Sequence, residues 1–284
     1  MAELPPPVVS HCTRHPDRVT GRSCTRCGRP ACGDCLVQAS VGSQCVDCVR
    51  RARPPASTRV RHWNARQPAL VSLALIVVNV GVFLWVIAGD VGAAGFGNQV
   101  SEREFQLGLN KFVLQITDEW YRLVTSGFLH FGILHLGMNM WLLHQLGRML
   151  EPPLGRVRFA LLYAASLLGG SLGALVIQAD RSGLHGGASG AVFGLMTAAA
   201  IGMHRRGASV FQTGIGALLV IILVLTFTIP GISIGGHVGG AVAGALCGAV
   251  MLAPSWKPAP TWATYLVPLA VAVGAVLASI QVVS

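Results

Sequence analysis

The stretch that decides the fold runs from residue 235 to residue 248 and reads GGHVGGAVAGALCG. Glycine recurs in it at every fourth position from Gly236 to Gly248. Residues four apart lie on one face of a helix, and a stripe of small side chains lets two membrane helices approach closely. The stretch therefore predicts a helix that packs tightly against a neighbour and carries a polar side chain, His237, beside the top of its stripe.

A second stripe of small residues lies upstream. It starts in the motif HGGASG at residues 185–190, directly after Ser189, and its members are Gly190, Gly194, Ala198 and Gly202. Helices with matching stripes can pack face to face. If these two do so, we expect Ser189 and His237 to lie at one depth and close together.

Composition identifies the medium in which these helices lie. Only 11% of the 284 residues are charged, against about 25% in soluble domains. Apolar runs that are long enough to cross a bilayer predict seven spans that contain no Asp or Glu. A different division into six spans is an alternative. The seven predicted spans are residues 69–88, 128–147, 158–178, 187–204, 210–229, 236–253 and 262–282.

The predicted fold class is therefore an all-α polytopic membrane protein. It has a six-helix core, one added C-terminal transmembrane helix and a small N-terminal module. No apolar run precedes residue 69, so we expect the first span to be an uncleaved membrane anchor rather than a signal peptide.

Positive charge is distributed unevenly about these spans. Arg and Lys cluster before the first span, between the second and third, between the fourth and fifth, and before the seventh. Cytoplasmic loops carry such an excess, so we expect a multi-pass protein of the cell membrane with a cytoplasmic N-terminus. Contact with the lipid surface explains the net charge of +10. No nucleic-acid-binding motif accompanies that charge, so nucleic acid is not an expected partner.

The N-terminal cysteines predict a metal-binding module. Seven of the eight cysteines lie in residues 12–48, where they form four ligand pairs together with one histidine. Four thiolate or imidazole ligands complete a tetrahedral structural zinc site, so eight ligands predict two zinc ions. A module of about 40 residues buries little core, and metal binding would stabilise it. The predicted ligands are Cys12, His15, Cys24, Cys27, Cys32, Cys35, Cys45 and Cys48.

Spacing alone leaves the ligand pairing open. Sequential and alternating pairs both close two sites, and His11 can replace His15 as a ligand. A thiol-rich redox segment is a further alternative. The spacing resembles a B-box-type zinc finger, and this resemblance implies alternating pairs: Cys12, His15, Cys32 and Cys35 on one ion, and Cys24, Cys27, Cys45 and Cys48 on the other.

Closed four-ligand sites perform no chemistry, so the expected role of the zinc module is regulation or binding of a protein partner. We expect it to occupy residues 1–49. Residues 50–68 are rich in Arg and Pro and are predicted to form a basic linker near anionic lipid.

Ser189 and His237 are the candidate catalytic pair. By the predicted topology, both lie where spans begin at the outer face. A neutral imidazole can take the serine proton and return it to a leaving group, and free N–H groups at a helix start can hold an oxyanion. His135 and Asn139 share one face of the second span and are further candidate donors to that oxyanion.

No carboxylate in the predicted spans completes a catalytic triad. Asp180, the last acid in the chain, lies in the loop before the fourth span and is a weak candidate for orienting the imidazole. Phe193 lies four residues after Ser189 and is expected to hold the His237 ring by stacking. Taken singly, Ser189 fits a bond to its own helix, His237 fits a packing role, and His135 with Asn139 fits an interhelical hydrogen bond. The combination therefore carries the prediction.

Three motifs together resemble those of the rhomboid family of intramembrane serine proteases. The resemblance covers residues 69–253 and leaves residues 254–284 as an appended transmembrane helix. The segment EWYR at residues 119–122 looks like the structural Trp-x-Arg element of the family's first outer loop. The three motifs are His135-x-x-x-Asn139, Gly187-Ala-Ser189-Gly190, and His237 with Gly240 and Gly244.

The resemblance implies a role for each candidate residue. Ser189 would be the nucleophile and His237 the general base, and the oxyanion hole would consist of His135, Asn139 and the Ser189 backbone N–H. Phe193 stands where some members have tyrosine, so the stacking survives but a hydroxyl contact does not. Gly236 replaces the alanine that usually precedes the histidine.

The implied function is an endopeptidase that cuts transmembrane segments of other membrane proteins, with no metal or cofactor in the chemistry. We expect its active site to open toward the outer face. A catalytically inactive relative that binds membrane clients is the alternative, and the presence of both Ser189 and His237 favours activity. A small transporter is a third reading, but the sequence lacks the internal repeat that many transporters have.

Overall fold

The computed structural model describes residues 9–53, 55, 58–59, 68–95, 100–177, 183–212, 214–228 and 231–284. The chain divides into two compact units, Met1–His62 and Trp63–Ser284. Each unit has buried clusters of its own. The finer boundaries at residues 49, 68 and 253 stay predictions.

The first unit contains two short antiparallel hairpins. One hairpin pairs β1 with β2 and the other pairs β3 with β4, and the short helix α1 follows them. The elements are β1 (His11–Cys12), β2 (His15–Val19), a 3-10 turn (Gly33–Cys35), β3 (Leu36–Gln38), β4 (Ser43–Cys45) and α1 (Val46–Arg51).

The core of this unit consists of sulfur-bearing side chains rather than hydrocarbon. Small domains bury too little apolar area to offset the entropy lost when the chain is ordered. The unit therefore needs a cross-link among its buried side chains. The buried apolar residues in its described part are Ala31 and six cysteines: Cys12, Cys24, Cys32, Cys35, Cys45 and Cys48.

The regular secondary structure in the described part of the second unit consists of helices. Three short helices, α3 to α5, lie in the connection between the long helices α2 and α6. The helices are α2 (Leu70–Gly89), α3 (Glu102–Leu107), α4 (Lys111–Thr117), α5 (Arg122–Thr125), α6 (Ile133–Leu154), α7 (Arg156–Ile177), α8 (Ser189–His204), α9 (Ile215–Thr228), α10 (Ile234–Met251) and α11 (Ala263–Val283), with 3-10 turns at Val91–Ala94 and Ser126–Phe128.

Four of the described helices are long and apolar enough to cross a bilayer: α2, α7, α10 and α11. Helices α8 and α9 are apolar but shorter, with 16 and 14 residues. The predicted fold class is confirmed: the protein is an all-α polytopic membrane protein with an N-terminal cluster of cysteine and histidine.

The second predicted span is wrong at both ends. It was expected at residues 128–147, whereas α6 covers Ile133–Leu154. Its start is delayed by the 3-10 turn and by Gly132, whose φ of 90° is a conformation that side chains other than glycine rarely adopt. Its end lies beyond the predicted boundary because the helix continues through Arg148 and Glu151 before Gly155 ends it.

Glu151 has partners that explain why a charge is tolerated there. Its carboxylate is 3% exposed and accepts the backbone N–H groups of Val71 and Ser72, each at 2.9 Å, and the Ser72 hydroxyl at 2.7 Å. N–H groups at a helix start have no partner in their own helix, and the helix dipole favours an anion there. Glu151 therefore caps α2 from the end of α6.

The predicted contact between the two glycine stripes is confirmed. A Cβ atom added to Gly240 would lie 2.0 Å from the Gly190 carbonyl oxygen, and one added to Gly244 would lie 2.0 Å from that of Gly194. Real Cβ atoms essentially never approach so closely. Helices α8 and α10 therefore pack backbone against backbone.

Helix α10 also carries a second glycine face, which packs on α7. A Cβ atom on Gly235 would lie 2.2 Å from the Gly173 carbonyl oxygen, and one on Gly239 would lie 2.2 Å from that of Gly169. Helix α10 is thus held between α7 and α8. This second contact was not predicted from the sequence.

Arg122 organises the connection between α2 and α6. Its side chain is nearly buried, pairs with Glu119 at 2.6 Å and donates to the backbone carbonyls of Phe105 and Gly108. It therefore ties α5 to α3, a structural role that matches the expectation for the EWYR segment.

We expect Gly240→Ala to destabilise the membrane unit, because the new methyl group would overlap the Gly190 carbonyl. Overpacking of a tight contact costs roughly 1–3 kcal/mol, so thermal unfolding in detergent should occur at a lower temperature. Gly274→Ala is the matched control, since a Cβ atom added to this helical glycine in α11 would have no neighbouring atom within 4 Å. Equal unfolding temperatures for the two variants would contradict the assigned packing.

Candidate functional site

Ser189 is the first residue of α8, and a fixed turn presents it. Gly187, two residues earlier, has a φ of 134°, and its N–H donates to the Ser126 carbonyl at 2.8 Å. Leu109 and His185 exchange two backbone hydrogen bonds at 2.8 and 2.9 Å. The turn before Ser189 is thus held on both sides by backbone of the preceding segments.

The His135 ring and the Ser189 hydroxyl converge on one point above Gly187. A Cβ atom added there would lie 2.9 Å from His135 Nε2 and 3.4 Å from Ser189 Oγ. His135 Nδ1 faces the backbone N–H of Phe131 at 3.4 Å. A neutral imidazole has one donor and one acceptor nitrogen, so this contact places the His135 proton on Nε2, on the side of Ser189.

Asn139 lies one turn after His135 and is 4% exposed. Its side-chain amide donates to the His135 carbonyl at 2.9 Å. An amide nitrogen has two hydrogens, so one is engaged by the helix backbone and one is available to a substrate. The structure therefore places both predicted oxyanion donors on one face of α6.

His237 lies in the first turn of α10 and is 6% exposed. Its ring stacks on Phe193, with centroids 4.2 Å apart and planes 19° from parallel. The predicted stack is confirmed. His237 Nδ1 lies 2.7 Å from the hydroxyl of Thr226 in α9. The imidazole is therefore held by the Phe193 ring on one face and by the Thr226 hydroxyl at its edge.

Ser189 and His237 do not form the direct hydrogen bond that the sequence suggested. Among the described residues, the Ser189 hydroxyl has no hydrogen-bond partner. Phe193 lies one helical turn after Ser189 and stacks on the His237 imidazole. Ser189 and His237 therefore still belong to one site. Catalytic hydrogen bonds are often long in the free enzyme and tighten when substrate binds.

A cavity of about 40 Å³ lies beside Ser189. A water needs at least about 10–15 Å³ of such volume and several polar partners. The lining supplies the hydroxyls of Ser126, Ser171 and Ser233. The cavity can therefore hold a few water molecules next to the serine.

Two side chains of the site were missed by reasoning from the sequence. Thr226 was missed because nothing in the sequence gives its register relative to α10. His130 is 1% exposed, its Nε2 faces the Ala188 N–H at 3.5 Å, and its ring lies 5.0 Å from that of His135. The sequence gives the spacing of His130 from His135, but this spacing predicts no contact for His130. Asp180, the proposed orienting acid, lies outside the described residues.

The N-terminal unit gathers its ligands into two groups. The ligand atoms of each group all lie within 4.8 Å of one another, and the arrangement is the alternating one, with His15 rather than His11. The groups are Cys12, His15, Cys32 and Cys35, and Cys24, Cys27, Cys45 and Cys48.

The donor distances fit a tetrahedral metal site. His15 Nδ1 lies 3.4 Å from the sulfurs of Cys32 and Cys35, and Cys27 Sγ lies 3.8 Å from Cys45 Sγ. Four thiolates about 2.3 Å from a zinc ion are about 3.8 Å apart. Either group can hold one metal ion.

The surroundings act in opposite directions on the thiols of each group. Burial raises the pKa of Cys35 to about 11, and the contact with Cys27 raises the pKa of Cys48 to about 12. Backbone hydrogen bonds, in contrast, favour the thiolate form of one cysteine in each group. A bond to the backbone of Cys32 lowers the pKa of Cys12 to about 6. The backbone of Cys45 does the same for Cys24, whose pKa is also about 6, and the N–H of Cys45 lies 3.1 Å from that sulfur. Each group thus contains one cysteine that ionises readily near neutral pH.

Comparison with known proteins finds relatives of the membrane unit. Residues 117–254 match the Rhomboid domain family. The chain is 32% identical over 146 residues to the Rhomboid protease GluP of Bacillus subtilis (strain 168), covering 50% of this chain and 28% of the relative. It is 48% identical over 80 residues to RHOMBOID-like protein 4 of Arabidopsis thaliana, covering 28% and 20%. It is also 31% identical over 130 residues to Inactive RHOMBOID-like protein 8 of that plant, covering 46% and 36%.

The fold and the site thus define a helical membrane protein with a serine, two histidines and an asparagine gathered at one end of its core. The matched segment carries all four of these residues. Residues 117–254 of this chain therefore resemble the Rhomboid domain. The chain spans less than two-fifths of the length of each of these relatives.

Proposed function

We propose that this protein is an intramembrane serine endopeptidase that cleaves transmembrane segments of other membrane proteins with Ser189 and His237. One observation carries the proposal: the His135 Nε2 donor and the Ser189 hydroxyl lie 2.9 and 3.4 Å from one point at Gly187, and Phe193, one helical turn after Ser189, stacks on the His237 imidazole. A nucleophile, a base and an oxyanion donor in one place are the parts that acyl transfer needs.

In the proposed reaction, Ser189 Oγ attacks the scissile carbonyl carbon and its proton passes to His237. The oxyanion accepts hydrogen bonds from His135, Asn139 and the N–H of Ser189, which has no partner in its own helix because it begins α8. When the C–N bond breaks, His237 gives its proton to the leaving amine. Water from the adjoining cavity then attacks the ester, again with His237 as base, and restores the serine.

Orientation and location extend the proposal. The excess of Arg and Lys around the N-terminal unit and alternate loops supports a cytoplasmic N-terminus in the cell membrane. The site would then open toward the outer face, since α8 and α10 both begin at the end where Ser189 and His237 lie.

An inactive rhomboid-like protein that binds membrane clients is the second candidate. Two observations favour it: the Ser189 hydroxyl and the His237 ring are not hydrogen-bonded to each other, and one relative is named inactive. The complete set of four polar side chains supports the protease instead.

For the N-terminal unit we propose two structural zinc ions and a role in binding a protein partner. Sets of four thiolate and imidazole ligands select zinc over harder cations. Because all four positions are filled by protein, such sites leave no open coordination position for chemistry. Zinc would supply the cross-link that a core of cysteines requires.

Replacement of the nucleophile tests the protease. We expect Ser189→Ala to lower cleavage of a purified transmembrane reporter by more than about a thousandfold, because no other group can form the acyl-enzyme. Ser279→Ala is the matched control, since this buried serine only bonds the Ala275 carbonyl in α11. Labelling with a fluorophosphonate should likewise depend on Ser189. Cleavage that persists in Ser189→Ala would refute the protease and leave the client-binding protein.

Metal content tests the zinc proposal. Elemental analysis of the purified chain should give two zinc ions, and His15→Ala should reduce this number while His11→Ala should not. Cys247→Ser is a further control, because that buried cysteine lies in α10 and in neither ligand group. Chelation should unfold residues 12–48 and largely spare cleavage by the membrane unit. A full zinc complement in His15→Ala would show that the ligand set is wrong.

A further inference from the structure

Thr226 of α9 has its hydroxyl within hydrogen-bond distance of the His237 ring. It lies near the C-terminal end of that helix and is 1% exposed. Its hydroxyl oxygen lies 2.7 Å from His237 Nδ1 and 2.8 Å from the carbonyl oxygen of Ile222, one turn earlier in the same helix. Both distances are those of good hydrogen bonds.

A count of protons determines which group donates. The hydroxyl has a single hydrogen. If this hydrogen pointed at His237 Nδ1, no hydrogen would lie between the Thr226 hydroxyl oxygen and the Ile222 carbonyl oxygen, although the two oxygens are only 2.8 Å apart. If it points at the carbonyl, Nδ1–H donates to the hydroxyl and both contacts are hydrogen bonds. Only the second arrangement satisfies all three atoms, so His237 carries its proton on Nδ1.

The two histidines of the site then hold opposite tautomers. His135 accepts the Phe131 N–H at Nδ1 and presents Nε2–H to the space beside Ser189. His237 donates from Nδ1 and keeps a lone pair on Nε2. His135 can thus donate a hydrogen bond to an oxyanion, and His237 can act as a base.

We propose that Thr226 is a positioning residue that fixes His237 as the Nδ1–H tautomer and passes its hydrogen bond on to the Ile222 carbonyl. This inference rests on the proposed protease function. The Ser189 proton moves to the free Nε2, while Nδ1 keeps its own proton and its bond to Thr226. The resulting imidazolium is stabilised by the polarised chain from Nδ1–H to hydroxyl to carbonyl, and no carboxylate contacts His237 in the described part of the chain.

Two substitutions at this position separate the hydroxyl from the shape of the side chain. Thr226→Val keeps the branching and volume but removes the hydroxyl, whereas Thr226→Ser keeps the hydroxyl. We expect Thr226→Val to lower kcat by roughly tenfold or more, a part of the roughly 10²–10⁴-fold that general base catalysis contributes. KM should change little, because the lost interaction is made to the base and not to substrate.

Thr226→Ser should restore most of kcat. Thr228→Val is the matched control on the same helix, because Thr228 is exposed and bonds only backbone carbonyls of α9. The rate of fluorophosphonate labelling of Ser189 should follow kcat across the three variants. Equal kcat in Thr226→Val and the wild type would overturn the inference, and absence of Ser189-dependent cleavage in the wild type would overturn the protease proposal instead.

A spectroscopic measurement on the unaltered protein covers the case in which Thr226→Val fails to fold. In protein labelled with 15N-histidine, the signals missing from His237→Ala identify this ring. We expect a protonated Nδ1 and an unprotonated Nε2 at neutral pH. The reverse assignment would overturn the inference whatever the kinetics show.

Discussion

Backbone contact among Gly170, Gly190 and Gly236 is the constraint on which the site depends. A Cβ atom on Gly190 would lie 3.0 Å from the Gly236 carbonyl oxygen and 3.3 Å from Gly170 Cα. Apolar side chains gain little from leaving lipid, so membrane helices associate through close packing and interhelical hydrogen bonds. Because Gly190 and Gly236 are chain neighbours of Ser189 and His237, the packing that joins the helices also sets the depth of the two proposed catalytic groups.

The sequence predicted this part of the fold well, because a stripe of glycines four residues apart has a single geometric meaning on a helix. It also predicted the stack of Phe193 on His237 from their registers on α8 and α10. The limits of α6 were predicted poorly, since the charge at Arg148 predicted the end of the span, whereas the helix continues through Arg148 and through the charge at Glu151. That charge is tolerated because it meets the free N–H groups of α2, a contact 80 residues apart in the chain.

The site was only partly visible for a related reason. His135 and Asn139 share a helix, so their spacing alone placed them together. Thr226 lies on a uniformly apolar helix whose rotation relative to α10 follows from no periodic pattern, and its contact with His237 could be found only in the folded chain. For the metal groups, the spacing of the cysteines gave the ligands but left their pairing open. The alternating pairs that the B-box resemblance implied are the ones that the fold brings together.

A hydroxyl beside the imidazole suits the medium better than the carboxylate of a soluble triad. An ionised acid in the hydrocarbon region costs several kcal/mol unless it is paired, and the Glu151 carboxylate meets that condition with three donors from α2. A threonine hydroxyl can accept a hydrogen bond from Nδ1 without carrying a charge, and it donates its own hydrogen bond to a carbonyl of its helix. The neutral arrangement can therefore lie within the bilayer without an extra ionised group.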